Sequence, residues 1–331
     1  MILKISHRES DVLIHGWKTI AMKTNAAKGY LYVIAAALMW ASCGTIGKAL
    51  FQAGMTPLEL VRIRVTFSSI ILALMFGLFS RYLFQIRPRD ILNFAVLGGV
   101  VMALVQFSYF AAISKIHVAA AILLQYLAPI IVAVYSMCFW NERVSAIKLS
   151  ALVLAVAGCY LMVGGYSLHL LTMNRIGILW GLISAVAFAS YTLLGERVMH
   201  RYPPWTVIFY AMLCASLSIN AVGAPPQYLH MEYSMMQFLS LSYIVVLGTI
   251  LPFGLYFIGV NYIRSTRTMI TATLEPISAA VMAFLLLGEQ LEVWQIIGGI
   301  AVVAAIVLLQ IQREQDELSP ELIRKRSAET G

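Results

Sequence analysis

The sequence predicts an all-α integral membrane protein, with ten transmembrane helices arranged as two inverted five-helix repeats. Three observations predict it. Ten stretches are long and apolar enough to cross a bilayer: 29–51, 57–79, 91–113, 117–139, 145–164, 175–197, 204–222, 237–261, 267–288 and 291–311. The composition is 61% apolar and only 11% charged. Short motifs in the first half recur in the second at nearly constant spacing. A span needs roughly 20 mostly apolar residues. In hydrocarbon the backbone must bond within its own segment, which makes each span a helix.

Charge supports the class and sets an expected orientation. Soluble domains carry about 25% charged residues. The net charge of +8 suggests nucleic acid at first sight. No nucleic-acid motif interrupts the spans, however, and the basic residues gather in loops and tails. With the N-terminus inside and ten crossings, eighteen of the 23 Lys and Arg face the cytoplasm, and only Lys48, Lys115 and Arg175 face outward. That bias places both termini inside. Cys43, Cys138, Cys159 and Cys214 all fall within spans, without CxxC spacing or a nearby His cluster, and read as packing residues. No cleavable signal peptide is expected, because the first 28 residues are too long and polar. Met22 opens Met-Lys-Thr-Asn-Ala-Ala-Lys, which would serve as an ordinary cytoplasmic start.

The repeat is the main internal feature. Tyr109-Phe110 returns as Tyr256-Phe257, Leu127-Ala128-Pro129-Ile130 as Leu274-Glu275-Pro276-Ile277, and Ala133-Val134 as Ala280-Val281. Glu142, past span 4, returns as Glu289, past span 9. These pairs share an offset of 147; Ala41-Ser42 and Ala189-Ser190 differ by 148. Five spans are an odd number, so the second copy enters the membrane from the opposite side. Inverted repeats are a recurring design of secondary transporters, with the substrate site near the midplane between the halves. The expected divisions are a cytoplasmic tail 1–28, a first repeat 29–164, a linker 165–174, a second repeat 175–312 and a cytoplasmic tail 313–331. The last, of mixed charge, reads as a solvated, partly disordered tail.

Some polar residues stand out from their positions alone. Pro129 and Pro276 lie well inside spans 4 and 9. Proline there removes one backbone bond and clashes with the carbonyl four residues back. The freed carbonyls belong to Gln125 and Ala272. The pair are packing kinks or hinges facing a cavity. Glu275 is the only carboxylate deep in a span, and an intramembrane ionisable residue must face protein or water. It is either a hydrogen-bonded structural glutamate or a site for proton coupling or amine binding. Arg62 and Arg64 open span 2 near Glu59. They read as interface anchors paired with Glu59, or as anion-binding groups. Glu142 and Glu289 read as turn residues favoured by a following helix dipole. Gly177 and Gly181, like Gly298 and Gly299, read as close-packing sites.

Trp40-Ala41-Ser42, Tyr109-Phe110-Ala111-Ala112-Ile113, Leu127-Ala128-Pro129, Asn141-Glu142-Arg143, Tyr256-Phe257, Leu274-Glu275-Pro276 and Leu287-Gly288-Glu289 together resemble the drug/metabolite transporter superfamily. The likeness is to its EamA-type ten-helix members and covers roughly residues 29–312. It implies two inverted five-helix bundles around a central cavity lined by spans 1, 3, 4, 6, 8 and 9. Carried onto this chain, the cavity candidates are Trp40, Ser42, Gln106, Tyr109, Gln125, Tyr126, Ser190, Tyr191, Tyr256 and Thr273, beside Glu275. Aromatic rings with a few uncharged donors suit a small amphipathic solute better than a polyanion.

The expected function is secondary active transport, in the direction of export, of a small metabolite such as an amino acid or amphipathic compound. It would work by alternating access in the inner (plasma) membrane. The expected partners are the small-molecule substrate, the lipid bilayer and protons, and no nucleic acid. No cofactor or metal is expected. An integral-membrane enzyme is the first rival, but no HExxH, paired acidic motif or nucleophile-plus-base set is present. A non-transporting scaffold would not need a polar midplane or inverted halves. An ATP-driven pump would need a GxxxxGK[ST] loop, which the sequence lacks.

Overall fold

A computed structural model describes residues 26–140, 145–162, 174–222, 233–287, 292–311 and 319–329. Among these residues all regular structure is helical. The membrane helices are α1 (Ala26–Gln52), α2 (Pro57–Phe79), α3 (Pro88–Lys115), α4 (Val118–Phe139), α5 (Ala146–Met162), α6 (Arg175–Met199), α7 (Pro204–Ala221), α8 (235–263), α9 (265–287) and α10 (Val293–Ile311). A short α11 (Pro320–Glu329) follows. The predicted Glu142 and Glu289 turns, the 1–25 part of the tail and linker residues 165–173 lie outside the described residues.

Local chemistry starts and stops these helices. Thr56 and Glu59 form a reciprocal capping box at the start of α2, with Pro57 in its first turn. Ser234 and Gln237 do the same for α8. Asn174 caps α6 through its side-chain oxygen. Leu74, Val153, Leu179, Leu217 and Ile300 point outward on different helices. An apolar exterior on packed helices is what a bilayer solvates.

The two halves bend at matching places. Helix α4 breaks at Tyr126–Leu127, between segments Val118–Gln125 and Ala128–Phe139. Helix α9 breaks at Thr273, between Ala272 and Leu274. Each break is followed closely by the repeated proline. Helix α3 widens into a π stretch at Ala95–Met102, and α8 does so at Val246–Ile250. At the offset of 147, the second stretch falls on and just past the end of the first. The symmetry fails at one point: α1 has a turn at Ala41–Ser42, whereas α6 runs unbroken through Ala189–Ser190.

Packing interleaves the halves. The π stretch of α3 lies on α7, where a Cβ at Gly98 would come 2.5 Å from the Ala211 carbonyl oxygen. The mirror contact sets α2 against the π stretch of α8. Helix α6 crosses α3 and the first segment of α4, and a Cβ at Gly181 would lie 2.6 Å from Leu124. Helices α5 and α10 pack against each other through Gly158, whose added Cβ would meet the Gly298 carbonyl at 2.7 Å. Small residues let backbones approach this closely.

Three expectations need correction. The loop between spans 8 and 9 contracts to one residue, Arg264, whose φ of 64° and ψ of 173° turn the chain at once. Arg264, expected in that loop, and Arg267, expected at the cytoplasmic start of span 9, are buried. Arg264 pairs with Glu196 at 3.0 Å and lies over the Trp140 ring. Arg62 and Arg64 are buried too, rather than anchored at the interface, and Glu59 bonds Thr56 in its cap. Finally, part of the expected solvated tail is ordered: α11 docks on α6 and α8, its Arg324 donating to the carbonyls of Met199 and Tyr202 and to Asn261 Oδ1.

Candidate functional site

The breaks in α1, α4 and α9 and the π stretch of α8 converge on one internal cavity. Interrupted helices leave backbone groups without their helical partners, and in a membrane these are tolerated only where protein or water satisfies them. Pro276 shows how this works. It cannot bond the Ala272 carbonyl, and Tyr126 Oη lies 2.7 Å from that oxygen. The same phenolic oxygen lies 2.8 Å from Oε2 of Glu275. A carbonyl can only accept and a phenol has one proton. Tyr126 can therefore serve only one of them at a time: it donates to Glu275 while that carboxyl is ionised, and to Ala272 when a protonated Glu275 donates to the phenol instead. One tyrosine at the break of α4 thus ties together both groups at the break of α9.

Five predicted residues line this cavity: Trp40, Gln106, Tyr109, Gln125 and Glu275. Five more line it that were not among the site candidates: Cys43, Arg64, Val105, Phe188 and Phe253. The cavity holds about 40 Å³. A water needs roughly 10–15 Å³ of such space, so a few waters fit and a metabolite does not. The rings account for the tightness. Trp40 packs edge-on against Phe253 at 4.9 Å and lies 5.3 Å from Tyr256.

The other predicted residues sit around this centre. Tyr256 shares a 2.7 Å hydrogen bond with Thr192, and Tyr191 stacks on Phe257 at 4.6 Å, so both form the layer behind Trp40 and Phe253. Ser42 reaches Tyr243 Oη at 2.7 Å across the halves. Thr273 turns its hydroxyl to the Ile270 carbonyl at 2.6 Å. Ser190 is elsewhere: it lines an apolar groove between α3 and α6 with Val101, Leu104, Leu182 and Val186. Pro129 is buried beside the α4 break, the counterpart of Pro276.

Arg64 is the residue that most changes the site. Its Nε donates to Thr249 Oγ1 at 2.9 Å and its Nη2 to the Gly248 carbonyl at 2.9 Å. Its guanidinium carbon lies 4.9 Å from the Phe110 ring centre. The π stretch of α8 presents both acceptors, one a side-chain hydroxyl and one a backbone carbonyl. A sequence signal for Arg64 existed. Arg62 and Arg64 are two residues apart, about 200° around a helix, so one direction of snorkelling cannot serve both. Arg62 instead donates to the carbonyls of Ile219 and Val222 at the end of α7.

Each half contributes one charge to the cavity. The offset of 147 sets Ala211 opposite Arg64 and Ala128 opposite Glu275. The first half thus supplies a guanidinium and the second a carboxyl group, each where its mate has a methyl.

Ten helices in two like halves, with a cavity between them to which both contribute polar side chains, define a membrane transporter of the inverted-repeat kind. The EamA-like transporter family model matches residues 27–164 and 175–311, and the chain belongs to that family. It is similar to the uncharacterized inner membrane transporter YicL of Salmonella typhimurium, 28% identical over 86% of this chain and 95% of the relative. An uncharacterized transporter of Archaeoglobus fulgidus is 30% identical over 82% of this chain and 98% of its own. A protein of known crystal structure superposes with a TM-score of 0.66 over 89% of this chain and 99% of its own, at 17% identity, which speaks to the fold alone.

Proposed function

We propose that this transporter is a secondary active carrier of a small metabolite, working by alternating access at the cavity between residues 29–164 and 175–312. The observation that carries the reading is the cavity itself: polar side chains from both halves meet at buried helix breaks, where an ordinary core would be closed by apolar packing. The breaks in α4 and α9, each beside Pro129 or Pro276, are the proposed hinges. Trp40, Gln106, Tyr109, Gln125, Tyr126 and Glu275 form the proposed substrate path. Ser42, Tyr191, Tyr256 and Thr273 support it from behind. Ser190 is kept as a second contact that would join if α6 rotates.

Glu275 is the proposed coupling group, since it is a cavity carboxyl whose proton state decides what Tyr126 must do. The inner membrane is the proposed location, in keeping with YicL, and both termini are proposed to be cytoplasmic, which the Lys and Arg bias supports even with the buried Arg264 and Arg267 left out. The proposed net direction is export. Purified protein in proteoliposomes loaded with labelled metabolites tests the core claim: substrate-specific counterflow is expected, and its absence across a broad metabolite panel would sink it. A reporter active only outside the cytoplasm, fused at residue 331, should stay silent; a signal there would overturn the topology.

A further inference from the structure

The cavity holds more hydrogen-bonding capacity than the protein uses. A guanidinium has five N–H donors, and Arg64 places two of them on Thr249 and Gly248. Its neighbours in the cavity wall are similarly idle. Gln106 is 2% exposed, yet its amide meets only the Met102 sulfur, at 4.0 Å. Tyr109 Oη is buried with no partner. Buried polar groups are normally satisfied, and each exception calls for a reason. Such groups around one buried cation, in a cavity whose wall also includes Trp40, Phe188, Phe253 and Val105, describe a site for an anion with an apolar body.

We propose that, once movement at the helix breaks widens the cavity beyond its present 40 Å³, Arg64 binds the carboxylate of a small monocarboxylate, whose apolar part lies against Trp40, Phe188 and Phe253, and that one proton travels on Glu275 with each anion. This rests on the transport reading and names its substrate class. Charge balance is the reason for the proton. Empty, with Glu275 ionised, the cavity holds one positive and one negative group and is neutral. Adding a carboxylate alone would leave one net negative charge near the bilayer centre, where an unbalanced charge is strongly disfavoured. Taking up one proton on Glu275 restores neutrality: Arg64 positive, substrate negative, Glu275 neutral. On release, the anion and the proton leave together, and no net charge crosses.

The other groups facing Glu275 do not change this count. Cys43 on α1, Tyr109 on α3, Tyr126 on α4 and Cys159 on α5 interact with it, and Arg64 on α2 shares the cavity wall. Apart from Arg64 these are thiols and phenols, which are neutral at physiological pH. A zwitterion would instead need Glu275 ionised to hold its ammonium group. Tyr126 accommodates the protonated form, since Glu275 can then donate to the phenol and the phenol's own proton is free for Ala272. Export then runs down the acid's own outward gradient, with the proton following.

The test compares three compounds of one shape and three charges: 3-phenyllactate, phenylalanine and phenethylamine. For the purified full-length protein, 3-phenyllactate should raise the melting temperature and the other two should not. Calorimetry in two buffers of different ionisation enthalpy should show about one proton taken up per 3-phenyllactate bound, above the pH at which Glu275 ionises. Glu275→Gln, an isostere of the protonated acid, should still bind 3-phenyllactate but take up no proton. Arg64→Gln should weaken binding at least 100-fold and Arg64→Lys at least 10-fold, since a lysine cannot present the planar fork. If Arg64→Gln does not fold, the proton count of the wild type and Arg64→Lys decide. Selective binding of phenylalanine or phenethylamine, zero proton uptake by the wild type, or no binding of 3-phenyllactate at 10 mM would each overturn the proposal. Binding with the expected proton uptake, but no flux in proteoliposomes, would uphold the site and refute the transport reading.

Discussion

Lys48 and Glu196 stand 148 residues apart, at equivalent points of the two halves, and hold opposite ends of helices with opposite charge. Lys48 Nζ donates to the carbonyls of Ile113 and Ile116, at 2.5 and 3.2 Å, where α3 ends. Glu196 accepts from the Ser265 amide at 2.7 Å, where α9 begins, and pairs with Arg264. A cation suits a helix C-terminus and an anion suits an N-terminus. Each residue therefore clamps the connection that follows the third helix of its half, α3 to α4 or α8 to α9. Inverting the repeat places the two clamps at opposite ends of the cavity.

The Glu196 clamp predicts a large cost when broken. Its carboxylate accepts from Ser265 and Arg264, and all three residues are buried. Removing one partner of a buried pair strands the other, at about 3–5 kcal/mol. Glu196→Ala is therefore expected to lower the melting temperature in detergent sharply. Glu196→Ala with Arg264→Gly should recover part of the loss, because no charge is stranded and glycine accepts the positive φ. An additive double variant would show that the two residues are not a unit.

Close backbone approach predicts a contrast between two glycines. A Cβ at Gly98 meets the Ala211 carbonyl oxygen at 2.5 Å and its Cα at 2.8 Å, both backbone atoms that cannot turn aside. Gly98→Ala should separate α3 from α7 and reduce the yield of folded protein severalfold. Gly77 has nothing within 4 Å. Gly77→Ala should be neutral or slightly stabilising, since alanine is the better helix former by about 1 kcal/mol. Size-exclusion recovery after membrane extraction distinguishes them.

Much of this architecture was legible because the bilayer imposes it. Span length, apolar content and the offset of 147 depend on sequence alone, and the breaks at Tyr126 and Thr273 follow from Pro129 and Pro276. Glu275 was legible because a carboxylate inside a span has few explanations. Arg64 was harder to read, since its depth and partners depend on Gly248 and Thr249, which come from the other half. Arg264 was missed for a similar reason: a loop arginine is ordinarily solvated, and contacts such as that with Glu196, 68 residues away, account for its burial. Ser190 was placed by repeat symmetry with Ser42, and that symmetry fails where α1 breaks and α6 does not.

His200 predicts a pH effect at the end of α6. Burial, and then the guanidinium charges of Arg264, Arg324 and Arg197, hold its pKa below the ordinary 6.5. An unfolded His200 therefore binds its proton at a higher pH than the folded one. As pH falls through 6.5 and below, the unfolded state gains the proton first and stability is lost. The docked α11, held by Arg324 beside this site, should become more sensitive to proteolysis between pH 6.5 and 5. His200→Gln should remove that part of the acid sensitivity. An unchanged digestion rate across that range in the wild type would contradict it.

The bridge from Tyr126 to α9 predicts an energetic coupling between the halves. Tyr126→Phe keeps the ring but removes the hydroxyl, leaving the Ala272 carbonyl and Glu275 without their shared partner. A stranded buried polar group costs about 1–3 kcal/mol, so the variant should melt earlier and transport more slowly. Pro276→Ala has the opposite chemistry at the same carbonyl. It supplies an N–H where a regular helix would bond Ala272, so the carbonyl no longer depends on Tyr126. Tyr126→Phe should then cost less in a Pro276→Ala background than in the wild type, a non-additivity of about 1 kcal/mol in a double-mutant cycle. Transport should not recover in step. If Pro276 is a hinge, straightening α9 slows the carrier even as it steadies the fold. Additive melting temperatures would mean that Tyr126 does not serve the carbonyl freed by Pro276.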